Sequence, residues 1–220
     1  MAKGMRELKR QIKSIQNMKQ ITRAMEMVAA SKLRKAQEAA ESARPYADKI
    51  REVIASIGNS TSEASHPMLE TREVKRTGYV VITSDQGSVG PYNSNLLRMT
   101  MGIIQQRHKS PDEYAIMVLG RKGRDFFKKK DIPVLDAITG LPNSPTFADI
   151  KSLAAGAVNN FAEEKYDELY LIYNEFINAM SQRPVEKKLL PLDSLSEQSE
   201  DAKQPTTNYI YEPSAEGVLN

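Results

Sequence analysis

The chain has 220 residues, of which 40% are hydrophobic and 27% are charged, and its formal net charge is +3. It contains no cysteine, which excludes a disulfide framework, a thiolate metal site and a cysteine nucleophile. No apolar run reaches the roughly 18–20 residues that a membrane span needs, and the amino terminus has no apolar core of a secretory signal.

The first predicted element is one long helix from Lys3 to about Ile57. This stretch has no glycine after Gly4 and one proline, Pro45, and it is dominated by Ala, Met, Leu, Glu, Lys, Arg and Gln, which form helices readily. Its apolar residues recur mainly at steps of three and four, a heptad stripe with one slipped step near Ile15. The stripe consists of Met5, Leu8, Ile12, Ile15, Met18, Met25, Ala29, Ala36, Ala39, Ala43, Tyr46, Ile50, Val53 and Ile57.

A helix of this span would be about 80 Å long at 1.5 Å per residue. Because the rest of a 220-residue chain cannot cover such a helix, we expect it to form a coiled coil with a partner. Pro45 removes one backbone hydrogen bond and predicts a kink near Arg44. The next stretch is rich in Ser, Thr, Gly and Asn, so a surface loop is predicted over 58–66 and a linker over 58–76.

Beyond the linker, the pattern changes to short apolar runs that alternate with helical stretches. This alternation predicts an α/β fold, a Rossmann-like and mostly parallel domain over 77–192. The predicted strands are 78–84, 114–120, 168–174 and an antiparallel edge strand over 185–190, and the predicted helices are 93–108, 122–130 and 147–165. Residues 193–220 are predicted to form an acidic loop and the stub of another helix.

The loop Ser84–Pro91 follows a strand and precedes a helix, a position where backbone amides bind anions in nucleotide-binding folds. Its spacing matches neither G-x-G-x-x-G nor G-x-x-x-x-G-K-[ST], so a structural turn is favoured over a nucleotide site. His66 and His108 are not placed beside a nucleophile or a carboxylate pair, and both are predicted to be exposed. The sequence therefore predicts no catalytic group, no metal site and no cofactor.

Basic residues are concentrated near the amino terminus, and isolated acids are scattered elsewhere. Nucleic-acid binding is one interpretation of the basic helix, but the cations are not interleaved with aromatic residues as in a single-strand platform. An acidic protein partner fits the charge equally well and the length better. The early cations are Lys3, Arg6, Lys9, Arg10, Lys13, Lys19 and Arg23, and the isolated acids are Asp48, Asp125, Asp149 and Asp167.

Four stretches in this order resemble the gamma subunit family of ATP synthases. The longest is 15–36, IQNMKQITRAMEMVAASKLRKA, which is similar to the family's amino-terminal helix. The others are Ala43-Arg44-Pro45-Tyr46, the strand and loop around Thr83-Ser84-Asp85 and Tyr92-Asn93-Ser94-Asn95, and Tyr209-Ile210-Tyr211-Glu212-Pro213. The resemblance covers essentially the whole chain, except that the family's final helix is missing after Asn220.

The resemblance implies a non-catalytic rotor subunit of the central stalk of a bacterial enzyme. Such a shaft couples proton-driven rotation of the c-ring to ATP synthesis or hydrolysis on three alpha and three beta subunits. Its expected partners are those subunits, the epsilon subunit and the c-ring, with no nucleic acid and with membrane contact only through the c-ring. The expected location is peripheral, on the cytoplasmic face of the plasma membrane. A nucleotide-binding α/β enzyme and a coiled-coil nucleic-acid binder remain the alternatives.

The resemblance also implies three sets of site residues. In the loop after the first predicted strand, Gln86 and Ser88 stand where the family commonly has Arg and Leu. The first set faces the stator along the shaft: Arg10, Lys13, Lys19, Arg23, Met25, Lys32 and Arg34. The second set is the foot that contacts the c-ring: Arg44, Tyr46, Tyr211 and Glu212. The third set is the loop of the α/β domain: Asp85, Gln86 and Gly87.

Overall fold

The computed structural model describes residues 4–60, 67–142 and 145–192. The chain divides into two compact units, Met1–Ile50 and Arg51–Asn220. Among the described residues, no helix combines the length and the apolar character that a bilayer crossing requires. The predicted acidic loop and helix stub over 193–220 lie outside the described residues.

The predicted long helix is present as α1, Met5–Ser60, with 56 residues and Pro45 inside it. It ends three residues later than predicted, since 58–60, expected to be loop, are helical. Strong helix formers precede these residues, and adding a residue to an existing helix is easier than starting one. The remainder of the predicted loop, 61–66, which includes His66, lies outside the described part of the chain.

The side chains of α1 in the first unit are exposed almost without interruption from Met5 to Ile50. Apolar residues are no exception, because Ile15 is 68% exposed and Met25 is 66% exposed. The first unit therefore leaves its heptad stripe uncovered, as the length argument predicted.

The second unit contains a five-stranded sheet in the order β3-β2-β1-β4-β5. Strands β1 to β4 run parallel and β5 pairs antiparallel with β4 at one edge, which confirms the mostly parallel, Rossmann-like prediction and the antiparallel edge strand. The elements are β1 Thr77–Ile82, α2 Tyr92–Arg107, β2 Tyr114–Leu119, α3 Arg121–Lys129, β3 Val134–Ile138, α4 Phe147–Ala162, β4 Glu168–Asn178 and β5 Ser181–Leu190, with 3-10 turns at Pro67–Leu69 and Pro111–Glu113.

Alternate residues of the central strands point to opposite faces and build two buried clusters. On one face, Tyr79 and Ile116 pack with Phe127 of α3 and with residues of α2. On the other face, Met117 packs with Phe161 of α4 and with neighbouring apolar residues. The domain thus closes its own core between three helices and one sheet.

Strand β3 was not predicted from the sequence. It lies at the sheet edge, and its five residues VLDAI are exposed or half-buried, so they lack the continuous apolar run of a buried strand. The β4–β5 pair is also longer than predicted, because residues beyond Asn174 pair only with each other. Pro184 lies within β5, which an edge strand tolerates because one of its sides needs no ladder hydrogen bonds.

Candidate functional site

The seven residues expected to face a stator all lie exposed on α1 in the first unit. Lys19 and Arg23 are four residues apart and share one face of the helix, whereas Met25 and Lys32 are seven apart and share another. The set is therefore distributed around the helix and does not form one patch.

Arg34 forms an ion pair with Glu38, with its Nε 2.9 Å from the carboxylate. The pair spans one helical turn and both side chains are more than half exposed, so it contributes little to stability. Within the described residues, the other cations of the set form no ion pair; these are Arg10, Lys13, Lys19, Arg23 and Lys32. Their charges are available to an acidic partner.

The foot set is described only in part. Tyr46 is on α1, one step of the heptad stripe before Ile50, and is 71% exposed. Arg44 is two residues earlier on the same helix and is also exposed. Tyr211 and Glu212 lie outside the described residues, so whether the four residues come together is untested.

The loop set surrounds Asp85, which follows β1 at the carboxyl edge of the sheet. One carboxylate oxygen accepts a hydrogen bond from the backbone N–H of Arg121, at 2.7 Å, at the start of α3. The other oxygen accepts from the backbone N–H of Gly140, also at 2.7 Å, in the loop after β3. Asp85 therefore joins three segments and supplies, from within the chain, the negative charge that a helix amino terminus favours.

Neighbouring contacts hold this arrangement in place. The Thr83 hydroxyl donates to the carbonyl oxygen of Leu119 and accepts from the N–H of Gly123. Gly120 adopts φ +100°, and a Cβ there would lie 2.2 Å from the Thr83 carbonyl oxygen. The approach of α3 to β1 thus requires glycine at this position. Sequence reasoning did not single out Thr83, Gly120 or Gly123 for this packing, although a glycine three residues before another at a strand-to-helix junction was a usable signal.

Gln86 and Gly87 are exposed at the tip of the loop. A Cβ on Gly87 would meet only the end of the Lys122 side chain, at 3.5 Å. No metal-binding group of three His, Cys, Asp or Glu side chains occurs among the described residues. The loop is a turn whose conformation is held by the two hydrogen bonds of Asp85.

A cleft of about 260 Å³ lies beside this loop, where the strand order reverses between β1 and β4. Ligands bind at such switch points in many α/β proteins. Here two polar side chains of the lining make bonds within the protein: the Ser84 hydroxyl donates to the Gln86 carbonyl oxygen, and the Asn174 amide donates to the Tyr92 carbonyl oxygen. The cleft presents no charged side chain to a phosphate group. Its lining is Ser84, Val89, Pro91, Tyr92, Asn95, Asn174, Gln182 and Pro184.

The prediction that His108 is exposed was wrong, because its side chain is only 8% exposed. Its Nε2 lies 2.8 Å from the hydroxyl of Tyr79, and its ring packs against Tyr114. Burial lowers the pKa of His108 below 6.5 and raises the pKa of Tyr79 to about 12. No local pattern in the sequence indicates this contact, since the two residues are 29 positions apart.

Two acids that seemed isolated in the sequence have defined structural partners. Asp149 accepts hydrogen bonds from both the N–H and the hydroxyl of Thr146 at the start of α4, and these bonds lower the pKa of its carboxyl. Asp167 is buried and forms an ion pair with Arg72. Neither acid is isolated, and both organise the second unit.

Comparison with known proteins gives a consistent result. The family described as ATP synthase matches residues 4–220. The ATP synthase gamma chain of Brevibacillus brevis is 59% identical over 219 residues, which cover 100% of this chain and 75% of that one. The central stalk and c-ring structure of the Tetrahymena thermophila mitochondrial ATP synthase aligns with a TM-score of 0.64 and 25% identity, over 90% of this chain and 83% of that one. The rotor of the Euglena gracilis mitochondrial ATP synthase shares the fold, with a TM-score of 0.56 and 18% identity over 94% of this chain and 71% of that one.

Proposed function

The chain belongs to the ATP synthase gamma family and is a rotor subunit of the central stalk, and from this we propose that it couples c-ring rotation to ATP chemistry on the alpha and beta subunits. The observation that carries this proposal is the uncovered stripe of α1. A helix whose apolar residues stay exposed from Met5 to Ile50 is built to be enclosed by other chains.

Coupling by such a subunit depends on shape and stiffness. A rod with two different faces biases a partner that has two conformations, because each conformation meets a different face as the rod turns. We assign the stator-facing contacts to the cations Arg10, Lys13, Lys19, Arg23, Lys32 and Arg34, together with Met25. Their distribution around α1 allows successive acidic segments to meet positive charge at different angles.

We assign the contact with the c-ring to a foot formed by Arg44, Tyr46, Tyr211 and Glu212. The exposure of Tyr46 supports this, since an aromatic ring on a helix surface is a common anchor in protein interfaces. The α/β domain would bind the epsilon subunit. The protein would then be peripheral, on the cytoplasmic face of the plasma membrane, and would touch the membrane only through the c-ring.

We propose that the chain contributes no catalytic residue to this rotary ATPase. The support is the loop after β1, where Asp85 binds the amides of Arg121 and Gly140 that a phosphate would otherwise use. A carboxylate at that position would also repel a phosphate. Calorimetric titration of the isolated chain with ATP should therefore show no binding heat, and a saturable heat would favour the nucleotide-enzyme alternative.

The proposal is tested by purifying the chain with alpha and beta subunits and observing single-molecule rotation. Reversing charge on one face of α1, with Lys19→Glu and Arg23→Glu together, should lower the torque because both cations are exposed and form no ion pair within the described residues. The matched control is Lys128→Glu with Lys129→Glu on α3, which reverses the same number of exposed charges in the second unit. No co-purification, or equal torque loss in both variants, would contradict the proposal.

A further inference from the structure

The chain enters the α/β domain through residues 67–76, which precede β1. Most of this segment is exposed, but Arg72 has a side chain that is only 16% exposed. The segment is the covalent path between α1 and β1. Any force that passes along the polypeptide from the long helix to the sheet must therefore pass through it.

Arg72 is held on three sides by the end of α4 and the turn into β4. Its guanidinium lies over the ring of Phe161, with Cζ 4.5 Å from the ring centroid. It donates to the carbonyl oxygens of Phe161 and Tyr166, the latter at 3.3 Å. Its Nε is 3.3 Å from a carboxylate oxygen of Asp167, whose side chain is 11% exposed.

Asp167 completes the attachment from the other side. Its second carboxylate oxygen accepts from the backbone N–H groups of Lys75 and Arg76, at 2.8 and 2.9 Å. The N–H of Asp167 donates to the carbonyl oxygen of Arg76, at 2.8 Å. The Arg76 side chain in turn donates to the carbonyl oxygen of Tyr114, at 3.2 Å. The entry segment is therefore bonded to β2 and to the turn before β4 just ahead of its own strand.

A second ion pair in the domain has the same components but a different location. Arg107 of α2 binds Glu186 of β5 through two hydrogen bonds of 2.6 and 2.8 Å, and its guanidinium lies 5.0 Å from the ring centroid of Tyr170. Both pairs thus combine an arginine, a carboxylate and an aromatic ring. Only the first one holds the segment through which the chain arrives.

We propose that Arg72 and Asp167 form a mechanical anchor, positioning residues that keep the entry segment fixed to the domain while the rotor is under load. This inference rests on the proposed rotor function. Without the anchor, load on the segment would act directly on the first residues of β1 and would break their pairing with β2 and β4. With it, the load is shared by the end of α4 and by the turn before β4.

The test measures rotational stiffness in the assembled complex. Because the chain has no native cysteine, a bead can be attached to the α/β domain at a cysteine introduced by Lys128→Cys on the exposed surface of α3, which carries neither ion pair. The angular spread of the bead during catalytic pauses reports how firmly the domain follows the shaft. Arg72→Met should broaden the spread relative to the otherwise unaltered chain, and Asp167→Asn should do the same.

Arg107→Met is the control, since it removes another arginine that contacts a carboxylate and an aromatic ring, away from the entry segment; Arg107 is more exposed than Arg72, 41% against 16%. Both methionine variants should lower the melting temperature, Arg72→Met by about 5 °C because it removes the countercharge of the Asp167 carboxylate and the donor to the Phe161 and Tyr166 carbonyl oxygens. Of these two methionine variants, Arg72→Met alone should broaden the angular spread. Equal broadening in both, or broadening in neither, would overturn the anchor. Failure of the unaltered chain to rotate would instead overturn the proposed function.

Discussion

The long helix and the α/β domain reach stability by opposite means. In the domain, Tyr79, Phe127 and Phe161 are completely buried, and the sheet closes its own core. Along α1 up to Ile50, residues of equal hydrophobicity are exposed, with Ile15 at 68%. The difference teaches that apolar residues alone do not indicate a core. In one region they stabilise the fold, and in the other they are reserved for an assembly.

The most direct test of this difference in burial is to truncate one apolar residue in each region. Phe127→Ala in α3 should lower the free energy of unfolding of the isolated chain by about 3–5 kcal/mol, because it opens a cavity in a closed core. Ile15→Ala in α1 should change it by less than about 0.5 kcal/mol, because that side chain is already in water. Urea denaturation monitored by circular dichroism measures both.

In the assembled complex, the order of the two effects should reverse, so that Ile15→Ala has the larger one. Ile15→Ala should then weaken co-purification with alpha and beta subunits, since it removes part of the surface that we propose those chains enclose. A large loss of stability from Ile15→Ala in the isolated chain would mean that α1 already packs on something within the protein, and the comparison would fail.

A second prediction compares a crowded glycine with an exposed glycine within the domain. Gly120→Ala should destabilise the domain by about 3 kcal/mol, since φ is +100° and the new Cβ would lie 2.2 Å from the Thr83 carbonyl oxygen. Gly102→Ala, in the exposed part of α2, meets nothing within 4 Å and should stabilise by about 1 kcal/mol. Thermal unfolding of the two variants checks both signs, and a neutral Gly120→Ala would show that the β1–α3 contact can relax.

The smallest expected effect is a pH dependence confined to the domain. Burial lowers the folded-state pKa of His108, while the unfolded chain binds that proton near the ordinary value of 6.5. Between these two pKa values the unfolded state holds more protons, so the free energy of unfolding falls as the pH drops below about 6.5. The exposed residues of α1 contribute no comparable burial.

The groups around His108 act in both directions. Burial is the largest cause of the shift and Arg107 adds to it, whereas Glu113 and Glu168 oppose it. Urea denaturation at about pH 7.5 and pH 5.5 should show the loss, and His108→Gln should reduce it. Asp149 and Glu175, whose pKa values are lowered by their hydrogen bonds, lose their stabilising charge only at more acidic pH. An unchanged slope in His108→Gln would assign the dependence to other groups.

Much of the fold could be predicted because its signals are local. Strong helix formers and a heptad stripe defined α1, and the apolar runs of β1, β2 and β4 marked the buried parallel strands. Strand β3 was not predicted because an edge strand is half exposed, so its sequence VLDAI lacks the continuous apolar run of a buried strand. The outer part of the β4–β5 pair, beyond Asn174 in β4, was not predicted for a related reason, since these residues pair only with each other.

The candidate site was less accessible to sequence reasoning because its contacts are long-range. The resemblance in 15–36 suggested five of the seven stator-facing residues, and Arg10 and Lys13 precede that stretch on the same helix. The loop residue Asp85 was found, yet its partners Arg121 and Gly140 are 36 and 55 positions away. His108, taken to be a surface residue, is fixed by Tyr79 in the folded domain, and only three-dimensional packing reveals such pairs.

The outer strand β5 has a consequence for the protein before it joins any complex. An open sheet edge can recruit a stray strand from another molecule and begin aggregation. Pro184 removes one ladder donor from this strand, and its sequence also carries Arg183, Lys187 and Lys188. Within the described residues, the outer edge of β5 therefore carries features that oppose pairing with a strand of another molecule.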